Sequence, residues 1–338
     1  MKRIILRTLR FILFLSVGII LLYFAFRGID MKKLWKEFLY AKYFWIFCSL
    51  VFLTASHFIR AYRWNLLIEA MNYKPTLINT FYSVMVGYTA NYAFPRIGEI
   101  TKCGVLAKTE QIPADKLLGT VIIERVVDLI TLFIFMVILI TARFEFFSGF
   151  IRPQIFEPLG NMLAPLFQTS VIIWILIITL PILLLVLVYR YRSYFAKWPF
   201  LKKIKDILKG ILSGLKTVYT MKKGIQFIIF SFLIWIFYWL MTYIAFFALP
   251  STANLKIIDG LFILVIGGFA FVAPVQGGIG AFHWIVSVGL TLYSISKEEG
   301  LAFATIIHGS QLLWTILLGL FSMIMLFSIR RNKVVVNS

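Results

Sequence analysis

Glu124, Arg125 and Asp128 interrupt an aliphatic run, in the order Ile122-Ile123-Glu124-Arg125-Val126-Val127-Asp128-Leu129-Ile130. On a helix Glu124 and Asp128 are four residues apart and share a face, while Arg125 and Asp128 are three apart. Each charge would cost about 2.5–3.5 kcal/mol at a lipid-facing midpoint, so the group must face protein or water. Two chemistries use such a set. One is a structural ion-pair network; the other is a polar path for a headgroup or ion, which ionisable residues inside a membrane favour by default.

Two proline-interrupted places supply further candidates. Pro95 is followed by Arg96, Gly98 and Glu99, and Pro274 by Gln276, Gly277, Gly278 and Gly280. Proline removes a backbone donor and breaks a helix, and the glycines beyond it permit a sharp reversal. At membrane depth such a break survives only where protein or a water-filled cavity satisfies the freed groups. Arg96 could grip a phosphate through two parallel hydrogen bonds, and Arg96 and Glu99 are natural partners for the charged cluster. A half-helix starting near Gly280 would aim its amide end at the same cavity. Gln276, His283 and His308 complete the candidate headgroup path, although either histidine alone reads as a packing residue. Arg60 and Arg63 close the second apolar segment and are expected to snorkel to the headgroups.

These residues need helices to position them, and the composition says what kind. Of 338 residues, 61% are hydrophobic and 14% charged, with a mean hydropathy of +0.92. Soluble chains are nearer half apolar and a quarter charged. Apolar blocks fall at about 11–26, 44–59, 77–94, 97–112, 118–141, 165–189, 225–249, 257–273, 281–294 and 301–328. The blocks at 97–112 and 281–294 are too short or too polar to cross as ordinary helices. The expected fold is therefore an all-α polytopic membrane protein, one domain over 1–338, with about eight transmembrane helices plus re-entrant broken hairpins. The basic stretch Met1–Arg10 ahead of Phe11–Phe26 has no small-residue cleavage motif after it, so an uncleaved first helix is expected.

The formal charge of +20 fits cationic loops facing anionic lipid better than nucleic acid. Residues 190–224 carry Lys202, Lys203, Lys205, Lys209 and Lys216 among other cations and a single acid, Asp206, with apolar residues at helical spacing. That pattern predicts an amphipathic helix on the cytoplasmic leaflet, and a smaller one runs through Met31, Leu34, Trp35, Phe38 and Leu39. Both chain ends then fall on the cytoplasmic side of a bacterial-type inner membrane; the cationic stretch 27–43 is the misfit. Cys48 and Cys103 have no metal or disulfide spacing. No Walker loop, HExxH, Asp-x-Asp or serine elbow is present, so no catalytic residue, metal or cofactor is expected.

Ser83–Pro95 and Phe262–Pro274 also match, each followed by a glycine-containing turn, a short arm and a full span, with Glu124 opposite His308. Units of about 77–141 and 257–328 would be oppositely oriented, the inverted-repeat plan of many transporters.

Pro95-Arg96-Ile97-Gly98-Glu99, Glu124-Arg125 with Asp128, and Pro274 with Gly277-Gly278-Ile279-Gly280 together resemble the lysylphosphatidylglycerol synthase transmembrane family, over about residues 10–330. The family includes the flippase-like half of the multiple peptide resistance factor. The resemblance implies re-entrant hairpins and movement of a phospholipid, anionic or aminoacylated, or of a lipid-linked headgroup between leaflets. Two-domain members add a soluble lysyltransferase domain; this chain stops at Ser338 and is expected to lack it. Ala281-Phe282-His283 stands where some relatives carry an acid after the glycine turn, which leaves the substrate open. The alternatives are a membrane-embedded enzyme or accessory subunit in lipid or lipid-linked sugar modification, with His283, His308 and Glu124 as acid and base, and an ion-coupled permease for a small polar solute. Self-association is left open.

Overall fold

The computed structural model describes residues 16–94, 97–145, 179, 190, 216–271 and 275–336. Among them every regular element is helical. We label α1 (Ser16–Phe26), α2 (Met31–Tyr40), α3 (Tyr43–Glu69), α4 (Leu77–Ala93), α5 (Gly98–Glu110), α6 (Ala114–Ala142), α7 (Gly224–Ala245), α8 (Ile257–Ala270), α9 (Ala281–Thr291) and α10 (Lys297–Val336). The chain divides into two compact units, Met1–Met136 with Val218–Ser338, and Val137–Thr217. Everything below concerns the first unit. The block at 165–189 and most of the basic segment 190–224, including Lys202, Lys203, Lys205 and Lys209, lie outside the described residues; Lys216 is exposed.

Tyr43–Glu69, Gly224–Ala248 and Lys297–Ile329 are long and apolar enough to cross a membrane. The first has the lowest mean hydropathy of the three, 1.5 against 2.1 and 2.3, and the largest buried share, 44% against 28% and 22%. It carries its polar residues on the face turned into the protein.

Pairings along the helices give their directions. Rings of α3 meet α7 in reverse order, Trp45 with Phe247, Phe52 with Phe237 and Tyr62 with Phe230, at 5.1, 5.6 and 4.8 Å, so the two are antiparallel. Asn65 of α3 donates to the Pro75 carbonyl at 3.2 Å and accepts from Thr80 of α4 at 2.6 Å. Asn79 and the Thr76 amide donate to Glu110 at the end of α5, at 2.6 and 3.1 Å. Hence α4 leaves from the Glu69 end of α3, and α5 returns to it. At the opposite end, Trp239 of α7 donates to the Ile257 carbonyl at 2.6 Å. Phe262 of α8 meets Tyr293, just beyond α9, at 5.6 Å, so this second hairpin starts and finishes at the other end. The two helix–break–helix hairpins thus point in opposite senses.

Lipid tails give helices little hydrophobic drive to associate, so close packing at small residues does the work. A Cβ on Gly87 of α4 would meet the Gly98 carbonyl of α5 at 2.7 Å, and one on Gly319 of α10 would collide with Thr89 of α4. The amide of Gly98 donates to Asn91 at 2.7 Å, which ties the start of α5 to α4. At 13 and 11 residues, α5 and α9 are about 20 and 16 Å long, too short to cross about 30 Å of hydrocarbon.

Candidate functional site

The charged residues of α3, α5 and α6 converge beside the first break. Asp128 accepts from Arg60 Nη1 at 2.7 Å and from Arg63 Nη1 at 2.6 Å. Arg63 also reaches Glu124 at 3.5 Å, and Glu124 holds Lys102 through its other oxygen. The Lys102 ammonium sits 4.2 Å above the Trp64 ring, and Trp64 Nε1 donates to Thr120 of α6 at 2.7 Å. Arg63 is fully buried, Glu124 2% exposed and Arg60 and Asp128 each 8%. The reverse order of these contacts makes α3 and α6 antiparallel, with three ionic contacts stitching them.

Arg125 behaves differently. Consecutive helical residues point about 100° apart, so Arg125 leaves the seam that Glu124 and Asp128 share and pairs with Glu99 of α5. The i, i+3 pairing of Arg125 with Asp128 inferred from spacing is therefore replaced by a cross-helix one. Glu99 joins the cluster as its position suggested.

The same elements border a small cleft, lined by Arg60 of α3, Val84, Gly87, Tyr88 and Asn91 of α4, Gly98, Glu99 and Lys102 of α5, and Glu124 and Arg125 of α6. Arg60 lies nine residues before the end of α3 and Glu124 ten after the start of α6, so the cleft is about 14–15 Å along the helices from the Glu69 end. In this set four cations (Arg60, Arg63, Lys102, Arg125) face three carboxylates (Glu99, Glu124, Asp128), leaving one positive charge uncompensated. Arg60 Nε, Arg63 Nε and Glu99 Oε2 are buried without a hydrogen-bond partner, as are both ring nitrogens of His57, whose ring packs on Tyr88.

Arg60 and Arg63 correct the expectation of snorkelling side chains. α3 does not end near them; it continues through buried Leu66, Leu67 and Ile68 to Glu69, which carries both guanidiniums deep into the fold. Sequence reasoning also passed over Lys102, Asn91 and His57. A signal existed: His57, Arg60 and Arg63 recur every third residue on one face of α3, and Glu99 and Lys102 do so on α5.

Gln276, His283 and His308 are not among the residues lining this cleft. They gather at the second break, where Gly277, Gly278 and Gly280 all have positive φ (56°, 79° and 83°). His308 Nε2 bonds the Gly277 carbonyl at 2.9 Å, and His283 Nδ1 accepts from the Gly280 amide at 3.3 Å. That bond occupies one of the α9 amides expected to face a ligand. The Tyr92 ring packs on Gly277, where a Cβ would strike it, so the glycine turn lies against the last turn of α4. Gly98 serves close approach rather than an unusual φ. Pro95, Arg96 and Pro274 lie outside the described residues.

The description "Lysylphosphatidylglycerol synthase TM region" matches residues 11–319. The chain belongs to this family. It is a membrane protein whose regular elements, among the described residues, are all helices. No curated protein and no solved structure matches it.

Proposed function

We propose that this member of the lysylphosphatidylglycerol synthase transmembrane family is a flippase-like translocator that passes the headgroup of a phospholipid or lipid-linked substrate between leaflets. The observation carrying this reading is the cleft among α3, α4, α5 and α6 with, among the described residues, one uncompensated positive charge and buried, half-satisfied charged groups. An anionic headgroup supplies the missing charge, while its acyl chains stay in lipid, so only the headgroup needs a polar route. The oppositely directed hairpins act as re-entrant arms in a multi-pass protein of about eight spans in a bacterial-type inner membrane. The Glu69 end of α3, close to Lys116 and Lys223, is the cytoplasmic end, following the positive-inside tendency, and both termini lie there. Transport is favoured over catalysis because His283 and His308 each commit a ring nitrogen to the glycine turn, away from the cleft.

Proteoliposomes containing fluorescent phosphatidylglycerol test this. Wild type should exchange the probe between leaflets faster than protein-free vesicles, and Arg125→Gln should slow it about tenfold. Exchange by wild type no faster than empty vesicles would remove the translocator reading.

A further inference from the structure

The ion pairs around the cleft fall into two kinds. Asp128 is held by two guanidiniums at 2.7 and 2.6 Å, with side chains 10% exposed or less. A group bonded on both sides and shut from water does not trade partners readily. The Arg125–Glu99 pair is built otherwise. Its side chains are 54% and 22% exposed, it borders the cleft, and Glu99 binds through Oε1 alone while Oε2 is buried without a partner. A half-satisfied buried carboxylate is costly to hold, and a pair bordering the cleft is open to a competing anion. Lys102, one turn along the same face of α5, is anchored to Glu124 and the Trp64 ring, so among the described residues Arg125 is the cation of the cleft that can be released without dismantling the seam.

We infer that Glu99 is a built-in stand-in for the ligand's anion: Arg125 is the subsite for a singly charged phosphodiester, and binding exchanges the Glu99 carboxylate for the phosphate oxygens. The exchange rests on the translocator reading for its ligand but not for its geometry. A phosphate offers Arg125 two oxygens side by side, where Glu99 offers one. No covalent step is involved, and the displaced carboxylate leaves a place in which one of its oxygens had no donor.

The test is a binding cycle in neutral phosphatidylcholine nanodiscs, by calorimetry, with dihexanoyl-phosphatidylglycerol, glycerophosphoglycerol and inorganic phosphate as separate probes. Glu99→Gln should bind the short-chain lipid about two- to fivefold tighter than wild type, about 0.4–1 kcal/mol at 1.4 kcal/mol per tenfold. Arg125→Gln should bind it more weakly, and adding Glu99→Gln to Arg125→Gln should give no gain. A carboxylate that merely holds α5 in place would make Glu99→Gln bind less tightly. Equal or weaker binding by Glu99→Gln, or a gain that persists without Arg125, overturns the inference. Inorganic phosphate bound as tightly as the short-chain lipid leaves the exchange standing and removes the lipid headgroup from the proposed function.

Discussion

Replacing Asp128 by Asn separates a structural load from an incidental charge. Among the described residues Asp128 is the only acid bonded to Arg60 and, at 2.6 Å, the closer of two for Arg63; the other, Glu124, is 3.5 Å away and already shared with Lys102. The amide keeps the shape but removes the charge, leaving two guanidiniums, 8% and 0% exposed, with one distant carboxylate between them. Breaking a buried pair on one side costs about 3–5 kcal/mol, and that loss is expected here. Arg125→Gln removes one charge from the same cluster outside the α3–α6 seam, where, among the described residues, its side chain pairs with Glu99 alone, and should cost less than Asp128→Asn. Reversible unfolding in mixed micelles, followed by tryptophan fluorescence, measures both. Asp128→Asn with Arg60→Gln should recover about half the loss, since one stranded cation leaves with the carboxylate. An Asp128→Asn protein within about 1 kcal/mol of wild type would refute the assignment of this network as the seam between α3 and α6.

Gly98→Ala should destabilise by about 1–3 kcal/mol, because the new methyl meets the Gly87 carbonyl and the Asn91 amide; the same unfolding assay checks it, and no loss would mean α4 and α5 can separate freely. Trp64→Phe keeps an aromatic face under Lys102 but drops the hydrogen bond to Thr120, for an expected loss of about 1 kcal/mol. Single cysteines at Lys74 and Leu39 should label from opposite sides of oriented vesicles, because the two residues lie beyond opposite ends of α3; labelling from one side would contradict the helix directions.

The sequence by itself determined the class, the breaks and half of the cluster. Hydropathy over a window, a proline before glycines, and carboxylates four residues apart are local quantities, and a helix in lipid leaves them few ways to be realised. The positive φ at Gly277, Gly278 and Gly280 and the burial of Glu124 and Asp128 lie within that reach. Partner choice did not. Arg60 lies 68 residues from Asp128, and which cation meets which carboxylate depends on how α3, α5 and α6 rotate against one another. Read singly, Arg60 and Arg63 look like the end of a span; only α6 packed antiparallel on α3 makes them its seam. Likewise only the tertiary structure brings the Tyr92 ring of the first hairpin against Gly277 of the second, a contact between residues 185 apart in sequence that no local pattern announces.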